Sequence, residues 1–294
     1  MANIDFLGIG VQKSATSWLF KNLKNHPDIW MPPRKELHYF DRDLKYPSPD
    51  FLASDKYEDR LKSTEKHNVI FREKMIKELG NAKASGNTKM EKWFEKYFCN
   101  NIDDKWYKSL FADGEGFVKG EITPAYSILE TKDILRIKNL FPAVKIILLL
   151  RDPVERAWSQ FRFYLKRNRF NKSTSIDEII QFINSPHQIK RGDYIGILSR
   201  WEAVFPASQF FVGFYDEVLN TPRELLTRLC HFLNVSPNKA DFKYLFTKEN
   251  VSPHMEIPDE IRKYLVNKYV LEIKKLAKIK PSFYVEKWLD RYEY

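Results

Sequence analysis

The sequence predicts an α/β protein in which a parallel sheet is flanked by helices. Short, continuously apolar runs alternate with amphipathic helical stretches along the chain, and turn residues bound each run. A strand that is apolar at every position is typical of a parallel sheet covered on both faces, because both of its surfaces are then buried. The 294 residues can bury a full core, and we expect a single domain over residues 1–294.

The individual elements follow from the same two patterns. Apolar runs predict four strands: Ile4–Ile9, Gly116–Gly120, Val144–Leu150 and Phe210–Tyr215. Helical periodicity predicts five helices between and after them: Thr16–Asn25, Thr131–Phe141, Val154–Arg169, Tyr194–Phe205 and Thr221–Leu233. Thr221 is of a residue type that caps helices, and proline follows it at the first helical position. The C-terminal part, Pro258 to Tyr294, predicts one helix and a short aromatic-rich segment.

Residues 41–113 differ in composition from the rest of the chain. They are rich in lysine, glutamate and aromatic residues and lack a strong strand signal. We interpret them as a helical insertion carried by the sheet domain. Four aromatic residues in this insertion have helical spacing, which favours core packing over a platform for a substrate: Trp93, Phe94, Tyr97 and Phe98.

Charge and cysteine content limit the function classes. Lysine plus arginine outnumber aspartate plus glutamate by 49 to 39, which favours anionic partners, although a solvated lysine-rich surface gives the same excess. Two cysteines without a pairing pattern exclude a disulfide framework and a zinc–cysteine site, and they suit a reducing compartment. No histidines have the spacing of metal ligands, so we expect no metal.

No stretch of the sequence predicts a transmembrane segment. The longest apolar run, Val144–Leu150, is far too short to span a bilayer, and the chain opens directly into its first strand without a basic leader. We therefore expect a soluble, cytoplasmic protein of a bacterial or phage-like kind. A chain from which an N-terminal anchor had been removed would give the same pattern.

The first strand leads into a candidate anion site. It ends in a tight loop of small residues with one lysine, Lys13, and a helix begins at Thr16. Free backbone N–H groups and the helix dipole converge on bound oxygens at such a position. The loop does not match the P-loop of nucleoside triphosphatases, because Gln12 and Leu7 occupy the two positions where that motif requires glycine.

The segment Lys13-Ser14-Ala15-Thr16-Ser17-Trp18-Leu19 instead resembles the 5′-phosphosulfate loop of the sulfotransferase family, Lys-x-Gly-Thr-Thr-x-Leu. The resemblance implies a P-loop-like sulfotransferase fold. It also implies that the donor is 3′-phosphoadenosine 5′-phosphosulfate (PAPS), that 3′-phosphoadenosine 5′-phosphate (PAP) is the product, and that residues of this loop bind the nucleotide: Lys13, Ser14, Ala15, Thr16, Ser17 and Trp18. Ala15 replaces the family's glycine and, unlike glycine, resists a positive φ.

A second phosphate site is expected after the strand Val144–Leu150. The run Arg151-Asp152-Pro153-Val154-Glu155-Arg156-Ala157-Trp158-Ser159 is similar to the family's 3′-phosphate motif. The resemblance assigns Arg151 and Ser159 to the 3′-phosphate. A planar guanidinium fork and a short hydroxyl donor suit phosphate oxygens. We expect Arg156 to pair with a neighbouring carboxylate or to face solvent.

The catalytic segment is expected at Lys35-Glu36-Leu37-His38-Tyr39-Phe40, which is similar to the family's Lys-Glu-x-His-(Tyr/Phe)-Phe. The resemblance makes Glu36 the base that deprotonates the acceptor, while Lys13 stabilises the leaving phosphate. Three roles stay open for His38: a partner that orients Glu36, an alternative base, or a packed core histidine.

Further matches extend the resemblance over most of the chain. Gly120–Tyr126 and the stretch Gly192–Pro206 resemble family segments, and Lys248–His254 occupies the place of the family's C-terminal lid but departs from its Lys-Gly-Arg pattern. The resemblance points to the heparan sulfate N- and O-sulfotransferases and their bacterial counterparts, and it implies a carbohydrate hydroxyl or amine as the acceptor, with a lipid, a peptide or a small alcohol as alternatives. The rival functions are a P-loop-type nucleotide kinase and a basic nucleic-acid-binding protein, and we expect no nucleic-acid partner.

Overall fold

The computed structural model describes residues 3–46, 52–171, 173–239, 241–247 and 255–292. These residues contain five strands in one sheet, and every pairing in it is parallel. The strands are β1 (Phe6–Gly10), β2 (Ile29–Trp30), β3 (Val118–Ile122), β4 (Lys145–Leu150) and β5 (Phe210–Phe214), in the spatial order β2-β3-β1-β4-β5. The predicted fold class is confirmed, and only the two-residue edge strand β2 has no counterpart among the predicted strands.

Helices surround the sheet. In the described ranges they are α1 (Thr16–Lys24), α2 (Tyr57–Lys62), α3 (Lys66–Ala84), α4 (Thr88–Phe98), α5 (Asp104–Ser109), α6 (Thr131–Leu140), α7 (Pro153–Lys166), α8 (Ile176–Ile183), α9 (Pro186–Gly192), α10 (Tyr194–Glu202), α11 (Tyr215–Asn220), α12 (Pro222–Leu233), α13 (Asp259–Ile279) and α14 (Phe283–Asp290). No helix in the described part of the chain is both long and apolar enough to cross a membrane.

Each of the five predicted helices exists, and its ends lie within one turn of the expected residues. The prediction that the Thr221 side chain caps α12 is wrong. Thr221 does occupy the N-cap position, but its side chain makes no capping hydrogen bond. Its hydroxyl lies 3.4 Å from the hydroxyl of Tyr284 in α14 instead, because that tertiary partner competes for it.

The two faces of the sheet bury different side chains, as the alternation along each strand requires. Phe6 and Leu149 point into one apolar cluster with α1 and α12, whereas Leu7 and Leu148 point into a larger cluster that includes α6, α7, α10 and α13. The sheet is therefore covered by helices on both sides, which explains why its strands are apolar at almost every position.

Residues 41–113 carry α2 to α5, so the helical character expected for the insertion is observed. Its four helically spaced aromatic residues are all buried, and the indole of Trp93 donates a hydrogen bond to the Leu110 carbonyl at 2.8 Å. They belong to the same apolar cluster as Leu7 and Leu148 of the sheet, which confirms core packing. The single-domain organisation over residues 1–294 stays a prediction.

Candidate active site

The loop after β1 is held in an unusual backbone conformation. Lys13 and Ala15 have positive φ values of 73° and 62°, the left-handed region that disfavours side chains other than glycine. Ala15 therefore adopts the positive φ that an alanine was expected to resist. Ala15 caps α1 without a side-chain hydrogen bond, and the first turn of α1 has no acidic residue. The N-terminus of α1 thus keeps its positive end for an external anion.

The hydroxyl of Ser14 points to the same conclusion. Ser14 is fully buried, and its Oγ has no hydrogen-bond partner in the described part of the structure. A buried hydroxyl without a partner costs free energy that a bound oxygen atom can recover. The site therefore fits a ligand that brings acceptor oxygens into this loop.

Lys13 lies among other cations. Burial, and then repulsion from Arg151, Arg162, Arg167 and Lys35, lower the pKa of its ammonium to about 8. Its Nζ lies 4.3 Å from the ring centroid of Phe163. Burial and like charges both disfavour the charged ammonium, and every charged group that contributes to this shift is a cation. An anion bound at Lys13 would remove this repulsion.

Arg151 at the end of β4 joins this loop directly. Its Nη1 donates to the Lys13 carbonyl at 3.0 Å, and its guanidinium lies 4.2 Å from the ring centroid of Tyr215. Its Nε is buried without a partner among the described residues, so it too could bind a further acceptor. Ser159 lies in α7 and is 6% exposed. Lys13 and Arg151, two of the predicted phosphate ligands, are therefore in contact although they lie 138 positions apart in sequence.

The expectation for Arg156 is wrong. Its side chain is fully buried in α7 and donates to the Gln188 amide oxygen of α9 at 3.4 Å. Its Nε and Nη2 have no partner, and no carboxylate pairs with it, in the part of the chain that is described. The cause is tertiary: α7 packs against α9 on this face, and a sequence pattern does not show which helix covers which face.

The segment around Glu36 is also in a left-handed conformation, with φ values of 64° at Glu36 and 54° at His38. Lys35 Nζ lies 2.6 Å from one oxygen of Glu36 and 3.4 Å from the Thr16 hydroxyl at the start of α1. The Glu36 segment is therefore tied to the Lys13 loop through Lys35. The carboxylate of Glu36 remains open to a substrate, because 40% of its side chain is exposed.

His38 connects two carboxylates. Its Nδ1 lies 2.7 Å from Asp41 Oδ2, and its Nε2 lies 3.5 Å from Glu36 Oε2. Burial lowers the pKa of the imidazole, but the Asp41 and Glu36 carboxylates outweigh that effect and raise it to about 9. Burial likewise raises the pKa of Glu36, but hydrogen bonds and charge from His38 and Lys35 hold it well below its usual range. At neutral pH, Glu36 is therefore ionised and His38 is protonated.

Two carboxylates that shape this segment were missed at the sequence level. Asp41 is fully buried beneath His38. Glu121 in β3 is also buried and accepts hydrogen bonds from Thr123 Oγ1 at 2.6 Å and the Leu37 amide at 3.2 Å. Tyr107 and Tyr126 donate to it as well, at 2.7 and 2.9 Å. For Glu121, the only sequence signal is its place in the family-like segment Gly120–Tyr126, for which the resemblance gives no role.

The lid stretch Lys248–His254 lies outside the described residues. In the ranges that the structure describes, no group of three or more His, Cys, Asp or Glu side chains has a geometry that could hold a metal ion. The site thus combines two cationic residues at neighbouring strand ends, Lys13 and Arg151, with the ionised carboxylate of Glu36.

Known proteins share this sequence pattern and fold. A family model described as the sulfotransferase family matches residues 6–238. Mouse carbohydrate sulfotransferase 15 is 23% identical over 286 residues, covering 84% of this chain and 46% of that protein. Mouse heparan sulfate glucosamine 3-O-sulfotransferase 5 is 23% identical over 246 residues, covering 81% and 55%. The chain thus spans about half the length of these curated relatives.

Solved structures share the fold. A sulfotransferase from Alicyclobacillus acidocaldarius superimposes with a TM-score of 0.62 at 22% identity, covering 95% of this chain and 96% of the other. The sulfotransferase domain of the Synechococcus PCC 7002 olefin synthase gives a TM-score of 0.52 at 17% identity, covering 90% and 88%.

Proposed function

Because the chain belongs to the sulfotransferase family, we propose that it transfers a sulfuryl group from PAPS to an acceptor hydroxyl or amine by in-line displacement. The observation that carries this proposal is the contact between the Lys13 loop and Arg151 at 3.0 Å, which joins two cationic positions at neighbouring strand ends. A nucleotide with charged groups at both its 5′ and 3′ positions matches two such positions.

The donor would lie across these two positions. Lys13 to Trp18 would hold the 5′-phosphosulfate with backbone N–H groups, hydroxyls and one ammonium. Arg151 and Ser159 would hold the 3′-phosphate, and PAP would leave as the product. The Ser14 hydroxyl and Arg151 Nε, which have no hydrogen-bond partner among the described residues, fit this assignment, since each is a buried polar atom that phosphate oxygens could satisfy.

The reaction we propose forms a bond between the acceptor oxygen or nitrogen and sulfur, and breaks the bond between sulfur and the bridging oxygen of the 5′-phosphate. The acceptor's proton passes to Glu36. Because Lys35 and His38 keep the pKa of Glu36 low, this carboxylate is a weak base, and proton transfer is expected late, after bond formation has made the acceptor proton acidic. Lys13 neutralises the charge that develops on the leaving phosphate.

A carbohydrate is the acceptor we propose, because the relatives named above act on carbohydrate and on heparan sulfate glucosamine by name. Arg162 and Arg167 lie near enough to Lys13 to lower its pKa, and they could bind an acidic sugar. A screen that finds a lipid, a peptide or a small alcohol as acceptor would replace this part of the proposal. A cytoplasmic location and the absence of a nucleic-acid partner stay predictions.

The first test is ligand stabilisation. PAP without magnesium should raise the melting temperature, and a hundredfold excess over its dissociation constant should add about 2.7 kcal/mol to the free energy of unfolding. ATP with magnesium and adenosine without phosphate serve as comparisons in the same thermal-shift measurement. A larger shift with ATP and magnesium than with PAP would favour the kinase instead.

A further inference from the structure

The described C-terminal residues return to the 3′-phosphate motif. Arg291 Nη1 donates to Asp152 Oδ2 at 2.9 Å, and the Tyr292 hydroxyl donates to the same oxygen at 2.7 Å. Asp152 Oδ1 in turn accepts the Val154 amide at 3.0 Å and so caps α7. The Asp152 side chain is only 3% exposed. Asp152 directly follows Arg151, so these bonds fix the backbone from which the Arg151 side chain extends.

The helix that precedes these two residues holds the other side of Arg151. The indole of Trp288 in α14 is fully buried, packs at 5.8 Å on Phe214 and donates from Nε1 to Asp216 Oδ2 at 3.1 Å. Phe214 and Asp216 flank Tyr215, the ring against which the Arg151 guanidinium lies. One short C-terminal segment therefore contacts both the backbone neighbour of Arg151 and the neighbours of its aromatic support.

We propose that Trp288, Arg291 and Tyr292, here called the C-terminal clasp, are positioning residues that set the enzyme's affinity for the 3′-phosphate by holding Arg151 in place. The inference rests on the proposed function, which assigns Arg151 to that phosphate. All three residues lie beyond residue 238, where the family match ends. The C-terminal clasp therefore supports the binding motif from a part of this chain that lies outside the matched region.

The physical reason is the geometry of the guanidinium. A charge-assisted, forked hydrogen bond to phosphate requires the donor plane to be oriented before the ligand arrives. Within the described part of the chain, the Arg151 side chain donates one hydrogen bond, to the Lys13 carbonyl, and its guanidinium lies over the Tyr215 ring. Its carbonyl also accepts the Tyr194 hydroxyl at 2.6 Å. Loosening Asp152 and Asp216 would leave the guanidinium with fewer constraints.

The test compares two ligands that differ only in the 3′-phosphate: PAP and adenosine 5′-phosphate. Their dissociation constants are measured by calorimetry for the wild type and for Tyr292→Phe, Arg291→Gln and the double variant. We expect the double variant to weaken PAP binding about tenfold and each single variant about threefold, with adenosine 5′-phosphate binding unchanged. Arg291→Lys should restore part of the loss.

Two controls separate positioning from stability. Tyr284→Phe removes a hydroxyl from the same helix without touching Asp152, and it should leave the ratio of the two dissociation constants unchanged. Arg151→Ala gives the ratio expected when the 3′-phosphate contact is lost completely. A clasp variant that lowers the melting temperature but keeps the wild-type ratio would overturn the inference alone. A wild type that binds both ligands equally would overturn the proposed function, and the inference with it.

Discussion

The two sides of the proposed reaction site balance their charges in opposite ways. On the phosphate side, Lys13 and Arg151 are close to further cations, and burial together with repulsion from these cations lowers the pKa of Lys13 to about 8. On the acceptor side, charges of opposite sign alternate along Lys35, Glu36, His38 and Asp41, and the contacts between them are 2.6 to 3.5 Å. The charged groups that act on Lys13 are all cations, whereas each charged side chain on the acceptor side has a partner of opposite charge within the protein.

The difference teaches how the site divides binding from catalysis. On the phosphate side, burial and repulsion between cations both disfavour the charged lysine, so the anionic nucleotide that we propose as donor would offset this cost. The paired charges on the acceptor side instead keep one carboxylate oriented and ionised before any substrate arrives, which is what catalysis by preorganised groups requires. Both sides hold residues in the left-handed region, at Lys13, Ala15, Glu36 and His38. Such strain is typical of functional sites.

The largest effect that would sharpen this comparison is expected from Glu36→Gln. Glutamine keeps the shape of the side chain but accepts no proton at neutral pH, so transfer should slow by about two to four orders of magnitude. PAP affinity should be almost unchanged, because Glu36 belongs to the side that does not bind the nucleotide. The rate is measured as transfer of labelled sulfate from PAPS to heparosan or chondroitin.

Lys13→Ala is the matched comparison from the other side. It should reduce both the rate and PAP affinity, since Lys13 would contact the nucleotide in the ground state and in the transition state. His38→Ala decides between the roles left open for the histidine. Normal turnover in the Glu36 variant together with an inactive His38 variant would make His38 the base and reverse our assignment.

The pH dependence of stability should have opposite signs on the two sides. The pKa of His38 is raised from 6.5 to about 9 on folding. Its stabilising contribution is therefore complete below about pH 6.5 and disappears as the pH rises through 9, a loss of about 3 kcal/mol at ~1.4 kcal/mol per pKa unit. The pKa of Lys13 is lowered from 10.5 to about 8, so its contribution becomes more favourable as the pH rises through that value.

Denaturant unfolding at a series of pH values measures both contributions. The wild type should have a higher free energy of unfolding than His38→Gln at pH 6.5, and this difference should decrease as the pH rises to 9. Asp41→Asn in both backgrounds should make the difference smaller, because Asp41 is the main cause of the raised pKa of His38. The free energy of unfolding of the wild type relative to Lys13→Met should instead increase as the pH rises through about 8. If both differences changed with pH in the same direction, the charges around Lys13 and around His38 would not have opposite effects on stability.

The smallest expected effect concerns the strained alanine. Ala15→Gly should raise the free energy of unfolding by about 0.5–1 kcal/mol, because glycine adopts a φ of 62° without steric cost. Ala277→Gly, in the last turn of α13, is the control and should lower stability by a similar amount, since glycine weakens an ordinary helix. Thermal or denaturant unfolding measures both. Destabilisation by Ala15→Gly would mean that the left-handed alanine carries no strain.

The sequence predicted the features that depend on local pattern. The strands β1, β3, β4 and β5 and the five helices were predictable because each is a long run with one period. The contact between Lys13 and Arg151 was not predicted: resemblance had assigned the two residues to separate phosphates, and the structure brings them together because β1 and β4 are neighbours whose carboxyl ends share one edge of the sheet. The position of Glu36 beside them came only from family resemblance, and the Lys35–Thr16 contact of 3.4 Å now gives its structural basis.

What could not be predicted depends on partners distant in sequence. β2 has two residues, too few for any periodicity. Arg156 was expected to be solvated or ion-paired because arginine is rarely buried, and nothing in the sequence indicates that Gln188 of α9 covers it. The support of the Glu36 segment by Glu121 joins residues 84 positions apart through the Leu37 amide. Such contacts are set by tertiary packing and leave no local signature.

The strand order has a consequence for how the chain is made. β1 lies between β3 and β4, and its pairings join Phe6 to Gly120 and Leu7 to Ile146. During synthesis from the N-terminus, β1 therefore leaves the ribosome long before either of its neighbours exists. An unpaired apolar strand is an aggregation hazard until its partners arrive. The strand that leads into the Lys13 loop is thus the first strand of the described sheet to be translated and the one that waits longest for its partners, so chaperone binding to the nascent chain should matter there.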